Sequence, residues 1–356
     1  MEKKINKILL IIFIFLIINI NQINAKNNEQ NILKENTQYN SILYVGGNGP
    51  GNYTTIQEAI NNSNNEDKIY VYSQSSPYIE NIIIDKSITL TGEDKNNTII
   101  DGENKGTTIT IKNNNIIIKE FTIKSNENIY FSSGIEILDS DNNEITNNII
   151  INNYDGITIN NSNNNNIYNN KIQNNGRTGI LIKNSDQNII NENNISNNNN
   201  FGIFYSYSND NKITNNKIIK NGWDGMVFRT SENNQIYSNN ISGSFYYGVN
   251  LFSTDNINNI FYYNSFYNNG YNARGENNNK WDNGLKGNYW DDYEEKYPNA
   301  SKKIRGIWNI PYKLGGQDNY DRYPLVKPYN PNIVENKLFF IGLIEEIILK
   351  ILSIYK

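Results

Sequence analysis

The sequence predicts an all-β chain wound as a right-handed parallel β-helix, with about 23 residues and three short strands in each coil. Three observations carry that expectation. Glycines recur at Gly134, Gly156, Gly179, Gly202, Gly225 and Gly248, in steps of 22 or 23 residues. Each step holds three short apolar pulses, and the polar residues between the pulses fall in fixed columns. Such a period marks a solenoid, whose coils bury a continuous core only by stacking on their neighbours.

Taken in order, residues 1–25 read as a secretory signal. Lys3, Lys4 and Lys7 precede an apolar run from Ile8 to Ile18, and Ala25 offers a small residue for cleavage. The run is shorter than the ~20 residues a membrane span needs. An exported protein, secreted or held at the cell surface, is expected, with residues 26–43 as a linker. Residues 44–275 should form the solenoid and its N-terminal cap. In that cap TTIQEAINN reads as a short helix, with Thr54 or Thr55 at its N-cap and Gln57 or Glu58 closing a capping box. Coils are expected from near Ile69, where KIYVY, ENIIID, SITLTG, TIIDG, TTITIK and IIIKEFTIK read as early, less regular strands.

From Gly134 onward the columns become strict. One residue after the glycines stand Ile135, Ile157, Ile180, Ile203, Met226 and Val249; three after stand Ile137, Ile159, Ile182, Tyr205, Phe228 and Leu251. This period-two pair points to one core. The second pulse is Ile145, Ile167, Ile190, Ile213 and Ile236, and the third is Ile150, Ile172, Ile195, Ile218 and Ile241; in the last coil Ile260 and Phe266 are expected to take over. Ser140, Ser162, Ser185, Ser208, Ser231 and Thr254 form a polar column, as do Asn143, Asn165, Asn188, Asn211 and Asn234, and again Asn148, Asn170, Asn193, Asn216 and Asn239. Coils about 4.8 Å apart let each amide donate to the next, so these rows read as inward ladders, with the glycines at tight corners.

Residues 276–330, containing GNYWDDY with Trp281, Tyr289, Trp290 and Trp308, read as an aromatic cap over the last coil. Residues 331–356 place Gly342, Glu345, Glu346, Lys350 and Ser353 on one helical stripe. An amphipathic helix with peripheral membrane contact is expected there, since two mid-segment carboxylates oppose a span.

The entry YVGGNGPGNYTTIQEAINN, the GI-x-I-x-x-S-x-x-N-x-I-x-N-N repeats and the closing GNYWDDY with YDRYPL together resemble NosD-like proteins over roughly Tyr44 to Pro328. These are parallel β-helix proteins of the CASH repeat group, related in fold to pectin lyases. The asparagine-rich style is also similar to adhesin-like surface proteins of methanogenic archaea. The resemblance implies a surface that handles carbohydrate, and by way of the family's named member a role in copper processing.

The composition bounds the chemistry. No histidine and no cysteine occur among the 356 residues, which excludes thiolate nucleophiles and imidazole bases and, of the ligands that copper prefers, leaves only Met226 beyond the signal. A formal charge of −4 argues against nucleic acid, which needs a basic footprint. Two candidate sites remain. Phe204, Tyr207, Trp223 and Tyr246, beside Arg177, Asp224 and Arg229, suit stacking on sugar rings and so predict contact with a glycan or cell-wall polymer. Asp186, Asp210, Glu232 and Asp255, seven or eight residues after successive glycines, make an acidic stripe that would take Ca2+. No catalytic residue is assigned: Asp155 and Asp224 share a column but sit three coils, about 14 Å, apart, too far for a glycosidase pair. The leading expectation is a non-catalytic, adhesin-like glycan binder; the alternatives are a polysaccharide lyase, hydrolase or epimerase, and copper processing.

Overall fold

The computed structural model describes residues 40–125, 130–275, 278–315 and 319–329. The expected signal and the expected tail helix lie outside the described residues. The compact unit that begins at Ile42 winds as a right-handed parallel solenoid of about 11 turns, about 23 residues to the turn.

Its strands stack into three long parallel sheets. Sheet I carries the glycine strands, in which Asp155–Asn160 pairs with Thr178–Lys183. Sheet II carries the second pulse, in which Asn166–Tyr168 pairs with Ile189–Asn191. Sheet III carries the third, in which Lys171–Gln173 pairs with Asn194–Ser196. The register sets Ile157, Ile180, Ile203, Met226 and Val249 in one row, all fully buried. β-Branched residues dominate these rows because they fit a pleated surface with one face packed in the core.

Two of the expected asparagine columns are ladders. The Asn170 Nδ2 donates to the Asn193 Oδ1 at 3.1 Å, and the Asn193 Nδ2 to the Asn216 Oδ1 at 3.1 Å. Each Oδ1 also accepts the backbone N–H of the amide one coil back, as Asn193 does from Asn170 at 3.0 Å. A third ladder, Asn153, Asn175, Asn198 and Asn221, runs beside sheet III and escaped the sequence reading. The residue before each rung turns the chain: Asn184, Gln187, Glu192 and Asn197 all have φ near +50° to +60° ahead of Ser185, Asn188, Asn193 and Asn198. Corner and rung are thus separate residues, the first turning the backbone and the second satisfying its polar groups.

Four expectations need correction. The glycines are not corner residues; they lie within sheet I, where a Cβ on Gly202 would stand 2.5 Å from the Gly225 carbonyl oxygen and 2.6 Å from the Ile218 Cγ2. Close approach between coils, not turn geometry, demands them. In the last coil Phe261, not Ile260, aligns with Ile236 and enters the core, because that coil is longer. The serine column passes from Ser231 to Asn256, not Thr254, for the same reason. Coiling also starts before Ile69, since Ile42–Val45 pairs in parallel with Lys68–Val71.

Helix α1, Ile56–Asn62, covers the first coils. Thr55 is its N-cap and accepts the Glu58 N–H at 3.2 Å. The return half of a capping box is replaced from the turn between two strands: the Glu80 carboxylate accepts the Ile56 and Gln57 N–H groups at 2.8 and 2.9 Å. At the other end the Lys86 ammonium donates to the carbonyls of Ile60, Asn61 and Ser63. Both charges complement the helix dipole. At the far end of the solenoid, Phe261 stacks on Trp281 at 4.4 Å, Phe266 on Trp290 at 4.5 Å, and Trp290 on Tyr312 at 4.3 Å, closing the core with aromatic rings. Among the described residues no helix is long and apolar enough to cross a membrane.

Candidate functional site

Sheet I has an entry edge, where each strand begins, and an exit edge six residues later. The entry edge collects Tyr154, Arg177, Asn200, Trp223 and Tyr246, one per coil, each from Arg177 onward donating its N–H to the carbonyl of the residue one coil back. Stacking therefore places side chains from positions 22 or 23 apart side by side, at steps of about 4.8 Å.

Four of the seven residues expected to meet sugar stand at or beside this edge. Trp223 and Tyr246 are 49% and 48% exposed and occupy adjacent coils. Arg177 lies two coils before Trp223, its guanidinium carbon 5.1 Å from the centre of the Tyr154 ring. Its fork is engaged by the Asp155 carboxylate, with Nε to Oδ1 at 2.8 Å. Asp224 is buried and serves structure: it accepts the Tyr247 N–H at 2.8 Å and the Asn250 Nδ2 at 3.1 Å. Phe204 sits on the outward face of sheet I and joins the edge through Phe201, whose ring is 5.2 Å from Phe204 and 5.5 Å, edge-on, from Trp223. Tyr207 and Arg229 fall on the exit edge, about 20 Å from Trp223 at ~3.3 Å per residue, and do not share its surface. Phe201, Tyr154 and the exposed Phe245 complete the aromatic edge; aligning the residues that precede the glycines would have found them.

The electrostatics follow from burial. Desolvation raises the pKa of Asp155, and the Arg177 hydrogen bond and charge oppose it. Asp224 is likewise raised by burial, against the bonds from Asn250 and Tyr247 and the charge of Arg274.

The acidic stripe is not gathered. Asp186 and Glu232 share a column, but Asn209 stands between them, its N–H bonded to the Asp186 carboxylate at 2.6 Å. Asp210 is one residue further along, in a left-handed turn at φ 55°, and Asp255 turns back on Ser253. Among the described residues no group of three or more such side chains is placed to hold a metal.

The aromatic edge runs on to Tyr271 and opens there into a cleft of about 850 Å³ between the last coil and the cap. Sequence reading missed this cleft because only one wall continues the repeat columns, while the other comes from the cap, which shares none of them.

Known proteins place this geometry in context. The family described as periplasmic copper-binding protein (NosD) matches residues 97–295. Among solved structures the chain is similar to pectate lyase Pel9A, at 16% identity and a TM-score of 0.53, covering 70% of this chain and 82% of that one. It is also similar to ORF18 of Geobacillus virus E2, at 16% identity and a TM-score of 0.49, covering 83% and 68%. The A-module of the Azotobacter vinelandii mannuronan C-5 epimerase AlgE4 matches at 15% identity and a TM-score of 0.38, covering 66% and 88%. Among curated protein sequences none matches.

Proposed function

The chain belongs to the NosD family, and from that premise we propose that it is an exported β-helix that binds glycan or cell-wall polymer, in the manner of an adhesin, through the entry edge of sheet I. The observation that carries this reading is the run of exposed aromatic side chains along one edge, with Trp223 and Tyr246 in successive coils. Indole and phenol faces present an apolar body to a sugar ring and a polar tip to its hydroxyls. An extended polymer laid along the axis would meet the same edge coil after coil. The family's description as periplasmic supports export.

The copper in the family's description does not fit this chain. Soft copper ligands are histidine, cysteine and methionine, and the sequence has none of the first two. Met226, the one methionine among the described residues, is fully buried in the core row between Ile203 and Val249.

Incubating the purified chain with a panel of microbial and host polysaccharides, scoring both retention and cleavage, tests the proposal. Retention without turnover is expected, and Trp223→Ala should weaken it about tenfold, the equivalent of one stacked ring. Polymer cleavage, or binding indifferent to Trp223→Ala, would overturn it.

A further inference from the structure

The cleft at the carboxy-terminal end of the entry edge has a chemistry of its own. One wall continues the edge: the Tyr271 N–H bonds the Tyr246 carbonyl at 2.6 Å, and its 64%-exposed ring lies 5.3 Å from Tyr247. The opposite wall is Tyr312, with the Lys296 ammonium 4.1 Å from the ring centre.

Charges in the cleft divide into those already used and those still available. Asp291 accepts the Asn268 N–H at 2.6 Å and the Asn272 Nδ2 at 2.9 Å. Asp292 accepts the Asn272 Nδ2 at 3.0 Å and the Tyr312 hydroxyl at 2.9 Å. These two carboxylates hold the cap to the last coil. Of the other charged lining residues among those described, Arg274, Lys296 and Lys313 are cations and Glu295 is the one acid. Neither Arg274, Lys296 nor Lys313 enters an ion pair among the described residues. Lys296 donates to the Lys313 carbonyl at 2.9 Å, and desolvation pulls its pKa down against the charge of Asp292, so a nearby anion would favour its charged form. The volume is in the range that holds a small ligand, with room for a sugar ring against the tyrosines.

We propose that this cleft binds a carboxylate-bearing sugar residue at the end of the glycan that lies along the entry edge, Tyr271 stacking on the ring and Arg274, Lys296 and Lys313 receiving the carboxylate. An arginine fork matches a carboxylate in geometry as well as charge. The assignment deepens the glycan-binding reading and rests on it for the direction from which the polymer enters.

Calorimetry on the full chain can compare a hyaluronan hexasaccharide, whose glucuronate carboxylates are free, with the same hexasaccharide after methyl esterification. NMR of free glucuronic acid examines the cleft without the edge. The free acid is expected to bind at least tenfold more tightly than the ester. Arg274→Gln and Lys313→Gln should each remove most of that preference, and Tyr271→Ala, an exposed ring whose loss leaves the core intact, should weaken both ligands. Equal affinity for acid and ester, or no binding of the acid, overturns the cleft. Binding abolished by Trp223→Ala yet unchanged by the three cleft variants overturns the cleft and leaves the edge reading standing. Hexasaccharide binding that needs Arg274 but ignores Trp223 supports the cleft while removing the edge.

Discussion

Replacing Asn193 by leucine keeps the branching and heavy-atom count of the side chain and removes one rung of a ladder, so its effect reports what the amide supplies. Asn193 is 1% exposed and sits in the middle of the solenoid. Its Oδ1 accepts the Asn170 N–H at 3.0 Å and the Asn170 Nδ2 at 3.1 Å. Its Nδ2 donates to the carbonyls of Ile167 and Asn191 at 2.8 and 3.0 Å, and to the Asn216 Oδ1. Leucine leaves the Asn170 N–H without that acceptor, at about 1–3 kcal/mol, and strips one donor from each of three oxygens, at about 0.5–1.5 kcal/mol apiece. Burying the leucine returns about 1.5–3 kcal/mol. A net loss of about 2–4 kcal/mol is expected from urea unfolding, with faster amide exchange at Asn170 as the local signature. A variant as stable as the parent, or one whose exchange is unchanged at Asn170, would refute the view that the ladder amides hold the corners together.

Three further outcomes follow from particular contacts. Tyr205 is fully buried, its ring stacked on Phe228 at 4.7 Å, and its hydroxyl finds no hydrogen-bond partner among the described residues, so Tyr205→Phe should raise the unfolding midpoint, by the equivalent of about 1–3 kcal/mol. Gly202→Ala forces a methyl against the Gly225 carbonyl and should destabilise by about 1–3 kcal/mol or more, whereas alanine at the open Gly315 should lack that clash; equal melting points for the two would deny the close-approach role. Asp321 is completely buried in the cap, and desolvation lifts its pKa to about 7 against hydrogen bonds from the Asn288 N–H, the Trp290 Nε1 and the Tyr323 N–H. A carboxyl raised by folding contributes stability below its unfolded pKa and loses it as pH climbs from about 4 to about 7, a span worth ~4 kcal/mol. Thermal melts should therefore fall with pH across that window more steeply in the parent than in Asp321→Asn, and parallel curves would dismiss the effect.

How much of this was legible in the sequence depends on whether a feature repeats. In a solenoid of near-constant period, position along the chain maps directly onto height along the axis, so a column of letters is a column of side chains. That is why the isoleucine rows, the Asn143 and Asn148 ladders and the stacking of Arg177, Trp223 and Tyr246 on one edge follow from counting. The mapping fails where a coil gains residues, as at Phe261 and Asn256, and where two columns are merged, as in an acidic stripe that puts Asp210 in the place that Asn209 fills.

By itself the sequence determined the class of fold, the core and the absence of any histidine or thiolate chemistry, because periodic burial and composition are properties of the chain. Only the tertiary structure decided which residue of each corner turns left-handed and which one bonds, that the glycines serve coil contact, that Glu80 caps a helix starting 24 residues earlier, and that Tyr271, Arg274, Lys296 and Tyr312 face one cleft. The first two are matters of backbone conformation and clearance that identical periodic letters leave open, and the last two join segments with no common period, so no spacing in a one-dimensional string encodes them.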